Sequence, residues 1–167
     1  KKPQEIILGD LGDAIEGFNN VAAQERTNDL SLTQMIRVWR RLLWSWIDTA
    51  ADLAPSVKVL SVPSNHCQER VGSKAAYNDP NNDFGIEVLT QVSDIAAANP
   101  KKFGHVSFYT PQNMKETVTL QTVGGKILGF AHGHQTKTIE RLPAWLANEA
   151  LRRSEISNAD IFLFGHY

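Results

Sequence analysis

Four short runs hold the side chains of this sequence that could do chemistry: Gly9-Asp10-Leu11-Gly12-Asp13, Ser64-Asn65-His66-Cys67, His132-Gly133-His134 and Gly165-His166. Their donors are carboxylate and amide oxygens and imidazole nitrogens, a mixture that suits manganese, iron, zinc or nickel better than calcium or magnesium alone. The sequence has one Cys, so no thiolate pair is present to build a structural zinc finger. Each run also has a plain structural reading, since Gly-Asp and Asn-His are ordinary turn formers. The pair of imidazoles around Gly133 is the more specific sign, because two polar rings at the end of an apolar run make a poor core. His105, which follows Lys101-Lys102-Phe103-Gly104, reads as structural.

A second chemistry would start from Cys67 as a nucleophile with His132 or His134 as its base. It leaves Asp10, Asn65 and His166 without roles. His66 cannot easily be that base, because adjacent side chains on an extended chain point to opposite sides.

The elements that must carry these runs follow from apolar spacing. Glu5-Ile6-Ile7-Leu8 reads as a buried strand that stops at Gly9 and feeds the first run. Leu32, Met35, Ile36, Trp39, Leu42, Leu43, Trp46, Ile47 and Ala50 fall at the three-and-four spacing of an amphipathic helix, capped by Ser31 and ended by Pro55. The other face carries Arg37, Arg40, Arg41 and Asp48, a solvated helix surface. Val57–Val62 is the next strand, closed by Pro63 and followed by the second run. Strand, helix, strand predicts a βαβ unit with parallel strands and both polar loops at one end, the end where open α/β sheets hold ligands.

The turn-rich stretch 77–83 predicts a surface loop. After it, Ile86, Leu89, Val92, Ile95 and Ala96 mark one face of a helix over about Phe84–Ala98, stopped by Asn99-Pro100. Strands are expected at Val106–Tyr109, Val118–Thr122 and Lys126–Ala131, with Val123-Gly124-Gly125 as the turn between the last two. A helix near Pro143–Arg153 and a strand over Asp160–Phe164 complete the reading, so the third and fourth runs also sit at strand ends.

Composition agrees with this outline. With 167 residues, 42% hydrophobic and 21% charged, the chain has the length and apolar content of one globular domain. Its 17 Lys and Arg against 18 Asp and Glu, a formal net charge of −1, leave no global attraction for nucleic acid or anionic membrane. Arg40-Arg41, Lys101-Lys102 and Arg152-Arg153 leave room for local contacts. No run approaches the roughly 18 apolar residues of a membrane span, and no signal-peptide core follows Lys1-Lys2-Pro3, so a cytoplasmic location is expected.

Taken in order, Gly-Asp-x-x-Asp, Asn-His after the next parallel strand, His-Gly in the second half and a final Gly-His resemble the motif ladder of the calcineurin-like metallophosphoesterases over nearly the whole chain. The resemblance implies an α/β fold with a central β-sandwich of mixed sheets flanked by helices, in four αββα layers. It implies a metal-dependent phosphoester hydrolase with two divalent transition-metal ions, Mn, Fe, Zn or Ni. Asp10 would bridge the metals; Asn65, His132 and His166 would complete one shell; His66 would protonate the leaving group. Asp13 and His134 would support the site or meet substrate, a phosphorylated small molecule or nucleic acid. The loop 77–83 and Gln135-Thr136-Lys137 would face it.

Three departures stand against the ladder. The family's Asp-x-His strand before the Gly-Asp box and the last His of Gly-His-x-His have no counterpart here, so residues 1–167 are expected to be the interior of a longer catalytic domain. Ser64 stands where the family has Gly, and Cys67 where an acidic residue commonly follows the His. A non-catalytic scaffold of the same architecture is the alternative that the missing ligands allow.

Overall fold

The computed structural model describes residues 2–16, 27–71, 74–75, 79–112 and 115–167. In chain order the elements are β1 (Ile6–Asp10), α1 (Leu32–Leu53), β2 (Val57–Ser61), a short hairpin of β3 (Arg70–Val71) and β4 (Lys74–Ala75), α2 (Phe84–Ala97), α3 (Pro100–Phe103), β5 (Val106–Tyr109), β6 (Thr117–Gln121), β7 (Ile127–Ala131), α4 (Leu142–Leu151) and β8 (Ile161–Phe164). The fold is mixed α/β, built on two three-stranded sheets, β1-β2-β5 and β6-β7-β8.

The expected βαβ unit forms. β1 runs parallel to β2, Ile6 opposite Val57 and Asp10 opposite Ser61, and β5 lies parallel on the other side of β2. α1 starts at a capping box: Ser31 Oγ accepts the Gln34 N–H, and Gln34 Oε1 accepts the Ser31 N–H at 2.8 Å. Such a box satisfies two helix-end donors at once. α2 is capped by Asp83, whose Oδ1 accepts the N–H groups of Gly85 (2.8 Å) and Ile86 (3.2 Å). In the second sheet β6 and β7 form the expected hairpin, with Gly125 at φ 81° in its turn, and β8 pairs parallel to β7.

β2 shows how side-chain alternation divides the interior. Val57 and Val59 face the core made with Leu43, Ile47 and Ala50 of α1 and Val88, Leu89 and Val92 of α2. Leu60, and Val62 just beyond the strand, face the opposite way and meet Val118, Leu120 and Phe130 of the second sheet. Ile6 and Leu8 join the first core and Ile7 the second, as period-two alternation requires. Lys58 also lies on the second-sheet side and closes that end of the interface, paired with Glu5 at 2.9 Å and donating to the Gln121 carbonyl.

The structure corrects two details. Ile95 is exposed, because it sits at the edge of the α2 stripe that Ile86, Leu89, Val92 and Ala96 bury. α2 ends at Ala97, just before Asn99-Pro100 as expected, and Pro100, at the first helical position, starts α3. A 3-10 turn, Ile139–Arg141, precedes α4, and another, Glu155–Asn158, packs on β7. Of the loop 77–83, residues 77 and 78 lie outside the described residues. His105 is structural as expected, its Nε2 bonded to the Ala51 carbonyl of α1 at 3.0 Å.

Candidate functional site

The polar runs after β1, β2, β7 and β8 meet at the C-terminal ends of their strands, around the imidazole of His132. This ring is fully buried. Its Nδ1 lies 2.6 Å from the Leu11 carbonyl, a partner that can only accept, so Nδ1 carries a proton. Nε2 then faces Asn65 Oδ1 at 3.1 Å, Asp13 Oδ2 at 3.3 Å and His166 Nδ1 at 3.1 Å. The ligand atoms of Asp13, His132 and His166 all lie within 4.8 Å of one another.

Tight backbone geometry permits this approach. Gly12 has φ +93°, and a Cβ there would lie 2.5 Å from Ser64 Cβ and 2.7 Å from His132 Nδ1. A Cβ on Gly165 would come within 2.8 Å of the Leu11 carbonyl oxygen. Asp13 and His166 adopt the left-handed region at φ 58° and 66°, which side chains other than Gly enter at a cost of about 1–2 kcal/mol. Ser64 ties the first two runs together by accepting the Asp13 N–H at 2.9 Å.

Asp13, His132 and His166 offer a donor set that could hold a cation. Burial opposes ionisation of Asp13, but the hydrogen bond and charge of His132, with Ser64, outweigh it and hold the carboxyl down to about 2. Burial likewise works against the His132 imidazolium, and the Asp13 and Leu11 hydrogen bonds overcome it, so its pKa is raised. Burial and then the His132 charge lower that of His166. The pair therefore keeps its proton on His132, and a single Nε2–H faces three acceptor atoms. A cation replacing that proton would satisfy all of them. In a tetrahedral shell with metal–ligand distances of about 2.0–2.1 Å, neighbouring donors are roughly 3.4 Å apart, close to the 3.1–3.3 Å observed around Nε2. The Leu11 carbonyl supplies the outer partner that metal-binding imidazoles use to fix their tautomer.

Of the ligands expected from the sequence, then, Asn65, His132 and His166 come together, and Asp13 joins them. Asp10 is not in the cluster. Its Oδ1 accepts the Gly12 N–H at 2.9 Å and its Oδ2 accepts the Ser61 hydroxyl at 2.9 Å. Burial raises its pKa above the usual carboxylate value. Asp10 Oδ2 also borders the start of α2, 3.2 Å from where a Gly85 Cβ would be.

The remaining candidates have partners that spacing could not reveal. His66 Nδ1 lies 2.9 and 2.8 Å from the two carboxylate oxygens of Glu16. His134 Nε2 is 3.7 Å from Glu116, whose other oxygen accepts from Gln135 at 2.9 Å. Thr136 is buried, its hydroxyl bonded to the Tyr167 hydroxyl and donating to the Thr138 carbonyl. Of Gln135-Thr136-Lys137, the exposed residue is Lys137.

Cys67 does not have a nucleophile's setting. It is fully buried, its Sγ donates to the Ile15 carbonyl at 3.2 Å and accepts the Ile15 N–H at 3.3 Å. Burial, with the nearby Asp83 charge, pushes the thiol up to about 12, where no useful fraction is thiolate.

No family model matches the chain, and neither a curated protein nor a solved structure matches it. Among the described residues, no helix is long and apolar enough to cross a membrane.

Proposed function

We propose that this chain is a metal-dependent phosphoester hydrolase of the calcineurin-like metallophosphoesterase kind. One observation carries the reading: Asp13, Asn65 and His166, from three separate loops, converge on Nε2 of buried His132 at the ends of parallel strands. The finer fold that goes with it, four αββα layers, is supported by the two cores on opposite sides of the first sheet and by the 3-10 turn and α4 beyond the second sheet.

A divalent cation held by Asp13, Asn65, His132 and His166 would acidify a water and neutralise charge on the phosphoryl group. The second ion of a dinuclear centre would draw on Asp10, after release of its Gly12 and Ser61 bonds. The chain's own residues do the rest. Asp13 and His166 fix the geometry of the donor set, Leu11 and Asn65 orient the His132 ring, and His66 delivers a proton to the leaving oxygen. Balanced surface charge favours a small phosphodiester over duplex nucleic acid, whose binding usually needs many cationic contacts.

The test is turnover of bis(p-nitrophenyl) phosphate by the protein loaded with Mn²⁺, Ni²⁺ or Zn²⁺. Activity that His132→Ala removes supports the proposal; a protein without such activity does not carry it. Metal binding without turnover would favour the non-catalytic scaffold.

A further inference from the structure

A helix N-cap needs one side-chain oxygen, and Asp83 uses two. Its Oδ1 accepts the Gly85 and Ile86 N–H groups at the start of α2, while Oδ2 accepts the Ser64 N–H at 2.9 Å, 19 residues back along the chain. Asp83 is 4% exposed, so water is a poor substitute for any of these bonds.

Ser64 is where the two ligand-bearing loops meet. It directly precedes Asn65, and its hydroxyl accepts the Asp13 N–H at 2.9 Å. Asn65 and Asp13 both face Nε2 of His132. A line of bonds therefore runs from the first turn of α2 through Ser64 to the cluster, and its helix end is firmly held, because Val88, Leu89 and Val92 seat α2 in the first core. Two backbone bonds secure the same loop further on: the Phe84 N–H donates to the Cys67 carbonyl at 2.9 Å and the Glu69 N–H to the Asn82 carbonyl at 3.3 Å. Asn65 and His66 are gripped from α2 on both sides.

Resting on the reading that the cluster holds a metal, we infer that Asp83 is a positioning residue of the metal site, acting through Ser64. It sets Asn65 through the Ser64 backbone and Asp13 through the Ser64 hydroxyl, so one carboxylate registers both loops against the helix. Its own oxygens stay on backbone N–H groups throughout. Without the Oδ2 bond the Ser64 peptide is free to turn, Oγ leaves the Asp13 N–H, and the Asn65 and Asp13 approaches to Nε2 loosen together.

Asparagine separates capping from positioning. It caps a helix about as well as aspartate, but it has one oxygen, and its Nδ2 can only donate. With two N–H groups on the helix side and one at Ser64, the amide oxygen of an Asp83→Asn variant turns to the helix and leaves the Ser64 N–H without an acceptor.

The test compares Asp83→Asn with Val92→Ala, both on the full chain at pH 8. Val92 is buried on α2 and makes none of these bonds. Calorimetric titration with Zn²⁺ is expected to show binding weakened about tenfold by Asp83→Asn, at the low end of the roughly 10–100-fold that an outer partner contributes. Val92→Ala should keep the wild-type affinity although its guanidinium midpoint falls. In amide ¹H–¹⁵N spectra without metal, Asp83→Asn should shift the Ser64 and Asp13 resonances together. Equal weakening in the two variants would show that affinity follows helix packing and would overturn the proposal. Unchanged affinity in Asp83→Asn overturns it too, as does movement of Ser64 without Asp13, since the line of bonds would then end at one loop. A wild type that binds no Zn²⁺ removes the metal reading, and the two resonances still decide whether Asp83 registers the loops.

Discussion

Ser64 Oγ accepts the backbone N–H of Asp13 at 2.9 Å and that of Cys67 at 3.1 Å, so one buried hydroxyl joins the loop after β1 to the loop after β2. Where the resemblance has a glycine, this chain has a strut. Ser64→Ala leaves two N–H groups short of an acceptor, and each unsatisfied buried donor costs about 1–3 kcal/mol. The guanidinium midpoint should fall at unchanged slope. A midpoint equal to wild type would mean that water or another acceptor replaces Oγ at no cost.

The cluster distinguishes the two carboxylates of the first run. Calorimetric titration with Zn²⁺ should show Asp13→Ala and His132→Ala weakening binding by more than tenfold, and Asp10→Ala leaving the first equivalent largely intact. Loss of that equivalent in Asp10→Ala would restore Asp10 as the principal ligand and displace Asp13.

Gly12→Ala puts a methyl at φ +93°, 2.5 Å from Ser64 Cβ and 2.7 Å from His132 Nδ1. Neither neighbour is the far end of a flexible chain. We expect a loss of about 1–2 kcal/mol from the backbone conformation alone, more from the clash, and abolished metal binding. A crystal structure of the variant with an undisturbed His132 would contradict this.

Burial pushes the Asp83 carboxyl up to about 7 from an ordinary 3.8, against the lowering effect of its bonds from Ser64, Ile86 and Gly85. The folded chain therefore binds the Asp83 proton more tightly than the unfolded chain. That contribution to stability is complete below about pH 3.8 and is lost as pH rises through about 7. Asp83→Asn should flatten the fall in stability between about pH 3.8 and 7; an unchanged slope would assign it to another group.

Cys67→Ser should leave kcat within about twofold of wild type, because a thiol bonded to Ile15 and closed to substrate takes no part in turnover. Stability should drop by roughly 1 kcal/mol as the shorter C–O bond reaches less well to its partners. Complete inactivation with metal affinity retained would revive the nucleophile.

Much of this fold is written in period. The alternation of Ile6, Ile7 and Leu8, and of Val57 through Val62, sets strands with two buried faces. Ser31 with Gln34 marks the start of α1. Ile95 matched the helical spacing as well as Ala96 does, yet which edge of a stripe is covered depends on the neighbouring element. The site was legible as a set of runs and not as contacts. Whether Asp10 or Asp13 meets the imidazoles is decided by left-handed backbone at Gly12 and Asp13, which a Gly-Asp-Leu-Gly-Asp string does not announce. Glu16 and Glu116 reach His66 and His134 across 50 and 18 residues, with no periodic signal to connect them.

β2 has a neighbouring strand on each side and apolar cores on both faces. Adding one residue just after Val57 would send Val59 toward the second sheet and Leu60 and Val62 toward the helices, mixing the two interiors. Natural variants of this chain should therefore differ in length before Ile6, in the turn at Val123–Gly125 and around the 3-10 turns, while the interval from Val57 to His66 stays constant. That fixed interval works as a ruler, setting how far Asn65 and His66 stand from the interior that anchors them.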